Sequence, residues 1–136
     1  MTAVQKTLKI KEYIETNLPA LLVAAGLSPI DEYRNKTPLK NNDREICVYI
    51  DSDKNTKDGL EFSAIIQFQN SGADDVDEYH SVIFPLLEAF DPEEIEMEER
   101  MSVEADIWPL DINSSNSYAV YIMVFRSWLD TCNGGF

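Results

Sequence analysis

The stretch Arg44-Glu45-Ile46-Cys47-Val48-Tyr49-Ile50 alternates, with Ile46, Val48 and Ile50 on one side and Cys47 and Tyr49 on the other. β-Branched residues fit a pleated, half-buried surface, so the stretch predicts a strand. A polar run, Asp51 to Gly59, separates it from Leu60 to Gln69. There Phe62, Ala64, Ile66 and Phe68 oppose Glu61, Ser63, Ile65, Gln67 and Gln69. Two strands with one apolar side each predict a hairpin with a long polar tip, and its apolar side needs a cover.

Helical spacing supplies that cover on both sides of the hairpin. Val4, Leu8, the stem of Lys11, Ile14 and Leu18 recur every three or four residues, predicting a helix over Val4 to Leu18. Pro19 interrupts it and opens a short second piece, Ala20 to Ala25, which Gly26 closes as a left-handed cap. Leu27 to Asp43 holds two prolines and a polar cluster and reads as a loop with some irregular strand. After the hairpin, Asp74 serves as the cap of a second helix, with Asp77 and Glu78 at its positive end. Val76, Tyr79 or His80, Ile83, Leu87 and Phe90 form its stripe, and Pro85 predicts a kink or early break.

A second strand pair follows. The acidic run Asp91 to Glu99 leads as a solvated connector into Met101, Val103, Ala105 and Ile107, which alternate with Ser102, Glu104 and Asp106. Pro109 to Ser117 is turn-rich. In Tyr118 to Trp128, the row Tyr118, Val120, Ile122, Val124, Arg126 and Trp128 opposes Ala119, Tyr121, Met123 and Phe125, so both sides are largely apolar. Such a strand is central, or one side of it meets a partner. The order helix, strand, strand thus runs twice. It predicts one α+β domain over residues 1–136, with two helices on one face of a four-stranded, mostly antiparallel sheet and Ile46, Val48, Ile50, Phe62, Ile66 and Phe68 in the core.

Composition narrows the function classes. Eleven basic against twenty-five acidic residues give a net charge of -14, which repels phosphate backbones and anionic lipid, so neither nucleic acid nor membrane is an expected partner. No stretch approaches eighteen apolar residues and the beginning has no apolar signal core, so the reading is of a soluble, unexported protein. Two cysteines, Cys47 and Cys132, are too few for a disulfide framework and suggest reduced thiols in a cytoplasm, a bacterial one unless the protein belongs to a virion.

Candidate chemistry is sparse. Asp51, Asp53 and Asn55 open like a calcium loop, but Thr56 replaces the turn glycine and Phe62 the closing glutamate, so the segment reads as a solvated hairpin tip without metal. His80 is the only histidine, which leaves a Cys-His pair with Cys47 or Cys132 as the one nucleophilic arrangement. Its place three residues after Asp77 is explained more simply as a helix-boundary position. Cys47 reads as a small buried hydrophobe. No glycine-rich phosphate loop, nucleophile elbow, CxxC or HExxH occurs, so no catalytic residue or cofactor is expected.

The helix Val4 to Leu18 with its Ala24-Ala25-Gly26-Leu27 exit, the hairpin Ile46 to Phe68, the helix Val76 to Phe90 and the final strand Tyr118 to Trp128 follow one another in an order that resembles the tail terminator (tail completion) proteins of long-tailed bacteriophages, including minor tail protein U and its relatives. The resemblance covers most of the chain and rests on topology. It implies a homo-oligomeric, hexameric ring in the virion tail that caps the tail tube, contacts tail tube and head-completion proteins, and carries no enzymatic residues. In such a ring, Tyr121, Met123 and Phe125 are expected at the contact between copies, so that Met123→Glu or Phe125→Glu breaks the ring and spares the fold. The tip residues Asp51, Asp53 and Asp58 are expected to face an axial partner.

Two other readings compete. An acidic inhibitor or immunity-type protein would mask a basic surface of a partner, which the charge suits, although the carboxylates are spread over several loops and helix starts. A small enzyme on a ferredoxin-like sheet ranks last because no site marks it. Native mass separates the three: a ring, a monomer that binds a basic protein, or a protein with turnover.

Overall fold

The computed structural model describes residues 1–38, 43–71, 75–108 and 116–128. Helix α1 spans Ala3–Ala25, strand β1 Glu32–Arg34, β2 Glu45–Thr56, β3 Gly59–Ser71, helix α2 Val76–Glu88, β4 Glu99–Trp108 and β5 Asn116–Trp128, with a 3-10 turn at Pro92–Ile95. The α+β class is as the sequence predicts. The sheet, however, has five strands in the order β1-β2-β3-β5-β4, and it is mixed, because β1 runs parallel to β2. β1 is the irregular strand expected in the proline-containing loop; three residues are too few to show a period, so its pairing with the sheet was not readable. Tertiary bonds hold it: the Asp31 amide donates to the Arg44 carbonyl at 2.7 Å, and the Arg44 amide donates to the Asp31 carboxylate at 2.9 Å. The twofold repeat is correspondingly inexact, since the first unit carries the extra strand.

Helix α1 is continuous through Pro19, where the sequence predicts two pieces. Pro19 and Glu15, whose carbonyl loses its intrahelical donor, both lie on the exposed side of the helix, so that carbonyl is not shut away from solvent. Thr2 and Gln5 form a capping box at the start, and Gly26 at φ 72° closes the end, with bonds back to Leu22 and Val23. The buried stripe is Lys6, Thr7, Ile10, Ile14, Leu18 and Leu22, while Val4 and Leu8 are exposed. Ile14 and Leu18 are buried as predicted, whereas in the first half of the helix the buried side runs through Lys6, Thr7 and Ile10 and not through Val4, Leu8 and Lys11. Helix α2 likewise passes Pro85 and ends at Glu88; its cap is Asp75, whose side chain accepts from the Asp77 amide, and Asp74 lies outside the described residues.

The core lies between the two helices and one face of the sheet. Register places Phe62 opposite Phe125, Ala64 opposite Met123, Ile66 opposite Tyr121, and Phe68 opposite both Ala119 and Ile46. All of these are buried, together with Ile10, Ile14, Leu18, Tyr79, Ile83 and Leu87 from the helices. Phe68 meets Tyr79 at 4.9 Å, and Tyr13 meets Phe90 edge-on at 4.9 Å. Of the six predicted core residues, Ile50 is the exception at 38% exposure. A bulge follows it, and β2 leaves the helical cover there.

The acidic run after α2 is anchored, contrary to the expected connector. Ile95 and Met97 are buried in the core, so the carboxylates of Glu93, Glu94, Glu96 and Glu98 point outward from a pinned turn. Asp91 caps it by accepting from the Glu93 amide.

Candidate interaction surface on the open sheet face

Pleating sends alternate residues of β2, β3 and β5 away from the helices. The row across the sheet at Cys47 reads Gln67, Val120 and Asp106, and the next reads Tyr49, Ile65, Ile122 and Glu104. Val124 extends the patch beside Ser63 and Ser102. Among the described residues no helix covers this face, and Ile65, Val120, Ile122 and Val124 are partly exposed at its centre.

Charges gather at the margins. At one end the Arg34 guanidinium lies 3.0 Å from Glu32 and 3.7 Å from the buried Glu45 carboxylate. At the other, Glu61 pairs with Lys54 at 3.6 Å and Arg126 at 3.4 Å; Arg126 lies over the Trp128 ring, and the indole N–H donates to Glu99 at 3.3 Å. Glu104 and Asp106 line the β4 side. An uncharged aliphatic centre within a charged rim is the anatomy of a protein-protein contact.

The sequence expectation for this surface needs correction. Tyr121, Met123 and Phe125 are 0% exposed and belong to the core beneath the helices. Both rows of β5 are apolar, so hydropathy alone does not orient it. Pairing with β3 does, because Phe62, Ala64, Ile66 and Phe68 draw their register partners to the helical side. The apolar residues that the open face presents, which sequence reasoning did not single out, are Ile65, Val120, Ile122 and Val124. Met101 is also displaced from its expected row, since a bulge lies between Arg100 and Ser102.

The supposed long tip is mostly strand. β2 continues to Thr56, and only Lys57 and Asp58 turn the chain before Gly59. Thr56 Oγ1 accepts from the Asp58 amide at 3.2 Å and donates to the Gly59 carbonyl at 2.9 Å. Asp51 sits at the bulge and accepts from Ser63 Oγ at 2.9 Å, while Asp53 and Asp58 are exposed farther out. Extended backbone spaces Asp53 and Asn55 by roughly 7 Å and does not wrap them about one point. Among the described residues no group of three His, Cys, Asp or Glu is placed to hold a metal ion.

A Cys47–His80 nucleophilic pair is not formed. Cys47 is buried on the open side of the sheet, and burial, with the Glu45 charge second, pushes its thiol up to about 12. His80 is on the helical side, where Nδ1 lies 2.9 Å from the Tyr121 hydroxyl and its ring stacks on Phe84 and Tyr121. The sheet separates the two groups. Cys132 lies outside the described residues. Two hollows on the helical side are shallow: an apolar groove of about 550 Å³ between Leu21, Ala24, Val82, Pro85 and Leu86, and a polar cleft of about 450 Å³ between Lys9, Tyr13, Asn17 and Glu94. Among the described residues no helix is long and apolar enough to cross a membrane.

No family model matches the chain, and no curated protein matches it.

Proposed function

We propose that this is a non-enzymatic structural protein of a phage or prophage tail, one copy of a ring that terminates the tail tube and joins it to the head. One observation supports the reading above the rest: the aliphatic, uncharged centre of the open sheet face, Ile65, Val120, Ile122 and Val124. On a molecule of charge -14, most of the surface repels a second copy, and a charge-free patch is where two copies meet at least electrostatic cost. Among the described residues the sheet has helices on one side only, which also leaves apolar area that assembly would remove from water. The order of elements, with its resemblance to tail terminators, supplies the ring. In that ring the exposed Asp53, near the end of β2, and Asp58, in the β2–β3 turn, face the axial partner.

The test is co-assembly with the tail tube protein encoded beside this gene. Mixed in solution, the two should yield tubes that stop at a cap of this protein, and its copy number in native mass spectrometry should be about six, as the resemblance implies. Tubes that lengthen without regard to its presence, with no cap bound, would refute the reading.

A further inference from the structure

Among the described residues β4 has a ladder partner on one side only, because the sheet ends β5-β4. A terminal strand leaves alternate N–H and C=O groups of its outer edge unpaired, a template for another extended chain. The opposite edge, β1, is three residues long and offers little template. From Ser102 to Trp108, by contrast, β4 keeps an unbroken register with β5 beyond the bulge.

Its side chains divide cleanly. Glu104, Asp106 and Trp108 fall in line with Ile122, Val120 and Tyr118 on the open side, whereas Val103, Ala105 and Ile107 fall on the helical side. Both carboxylates are exposed and neither has an ion-pair partner among the described residues. Trp108 is 52% exposed at the end of that row, and Val103 and Ile107 are half-buried against the core. A chain laid along this edge meets two carboxylates and an indole on one side, and an apolar ledge on the other.

We propose that the β4 edge captures an extended basic segment of another protein as a sixth strand. Lysine or arginine at alternate positions would face Glu104 and Asp106, with a cation over the Trp108 ring, and the intervening apolar residues would continue the ledge of Val103 and Ile107. The charge identifies the occupant. A second copy pairing here would bring Glu104 and Asp106 toward their own counterparts, which cross-strand repulsion disfavours. The net charge of -14 steers basic chains toward the surface. The inference does not rest on the ring, since it uses the edge of the sheet and not its open face.

The probe is a blocked eight-residue peptide of alternating lysine and valine. It is compared with a peptide of the same composition in two blocks, and with the alternating peptide N-methylated along one edge. Binding is followed through the amide shifts and hydrogen exchange of the protein. The alternating peptide should bind and slow exchange at amides of residues 102–108, and the block and N-methylated peptides should bind far more weakly. Glu104→Gln and Asp106→Asn should each weaken it by about two- to fivefold, the size of a cross-strand charge pair, without changing the melting temperature. The proposal is overturned if the alternating peptide does not bind at millimolar concentration, or if the three peptides bind alike, which would mean charge attraction alone. It is equally overturned if the protected amides lie on β1 or at the centre of the open face, or if β4 is already protected by a second copy.

Discussion

Gly59 has φ 150°, and a Cβ added to it would lie 2.0 Å from the Ser127 carbonyl oxygen on β5. Backbone cannot yield as a side-chain tip does, so Gly59→Ala should cost roughly 2 kcal/mol or more, read from urea unfolding; an unchanged midpoint would contradict the close approach of β3 and β5. Ile66 and Ile122 make a sharper pair, one on each side of the sheet. Ile66→Ala should cost ~2–5 kcal/mol because it opens the core, whereas Ile122→Ala should cost clearly less. Cys47 adds a pH dependence. Its folded thiol, raised to about 12 from 9.0, stays protonated while the unfolded thiol ionises, so its contribution is whole below pH 9 and is lost between about 9 and 12. In a Cys132→Ser background, Cys47→Ala should therefore flatten the fall in stability across that window, and native Cys47 should resist a thiol reagent at pH 8.

At the scale of elements, the two prolines separate what local sequence decides from what packing decides. Pro19 costs α1 one hydrogen bond, but Ile10, Ile14, Leu18 and Leu22 bury a single stripe that runs across it, and the stripe wins. Pro19→Ala should then raise stability by about 1–3 kcal/mol with the helix content unchanged; a loss of stability would mean that the proline is needed as a break. The faces of β2 and β3 were legible because polar and apolar residues alternate in them. The face of β5 was not, because Val120, Ile122 and Val124 are as apolar as Tyr121, Met123 and Phe125 and only long-range register chooses between them. The irregular strand expected within Leu27 to Asp43 had no readable place or partner, because a three-residue parallel strand is made by its neighbour and by Asp31 and Arg44. The anchoring of the acidic connector escaped notice for a related reason: Ile95 and Met97, two apolar residues in a run of charge, are what tie it down.

For the whole molecule, the fold follows from one-sided burial: helices on one face, a charged rim and an aliphatic centre on the other. Neither a metal nor a disulfide takes part in this account, so the melting temperature should be the same with and without chelator and reductant. A fall of ten degrees or so with chelator would restore the calcium-like reading of Asp51, Asp53 and Asn55. The central claim is that copies meet through the open face while the opposite face is core. The direct measurement is the mass of assemblies formed on the tail tube by the wild type, Ile122→Glu and Met123→Glu, with circular dichroism of each variant alone. The account predicts that Ile122→Glu stays folded and forms no ring, whereas Met123→Glu loses its fold. A ring of wild-type mass from Ile122→Glu, or a folded Met123→Glu that fails only in assembly, would contradict it.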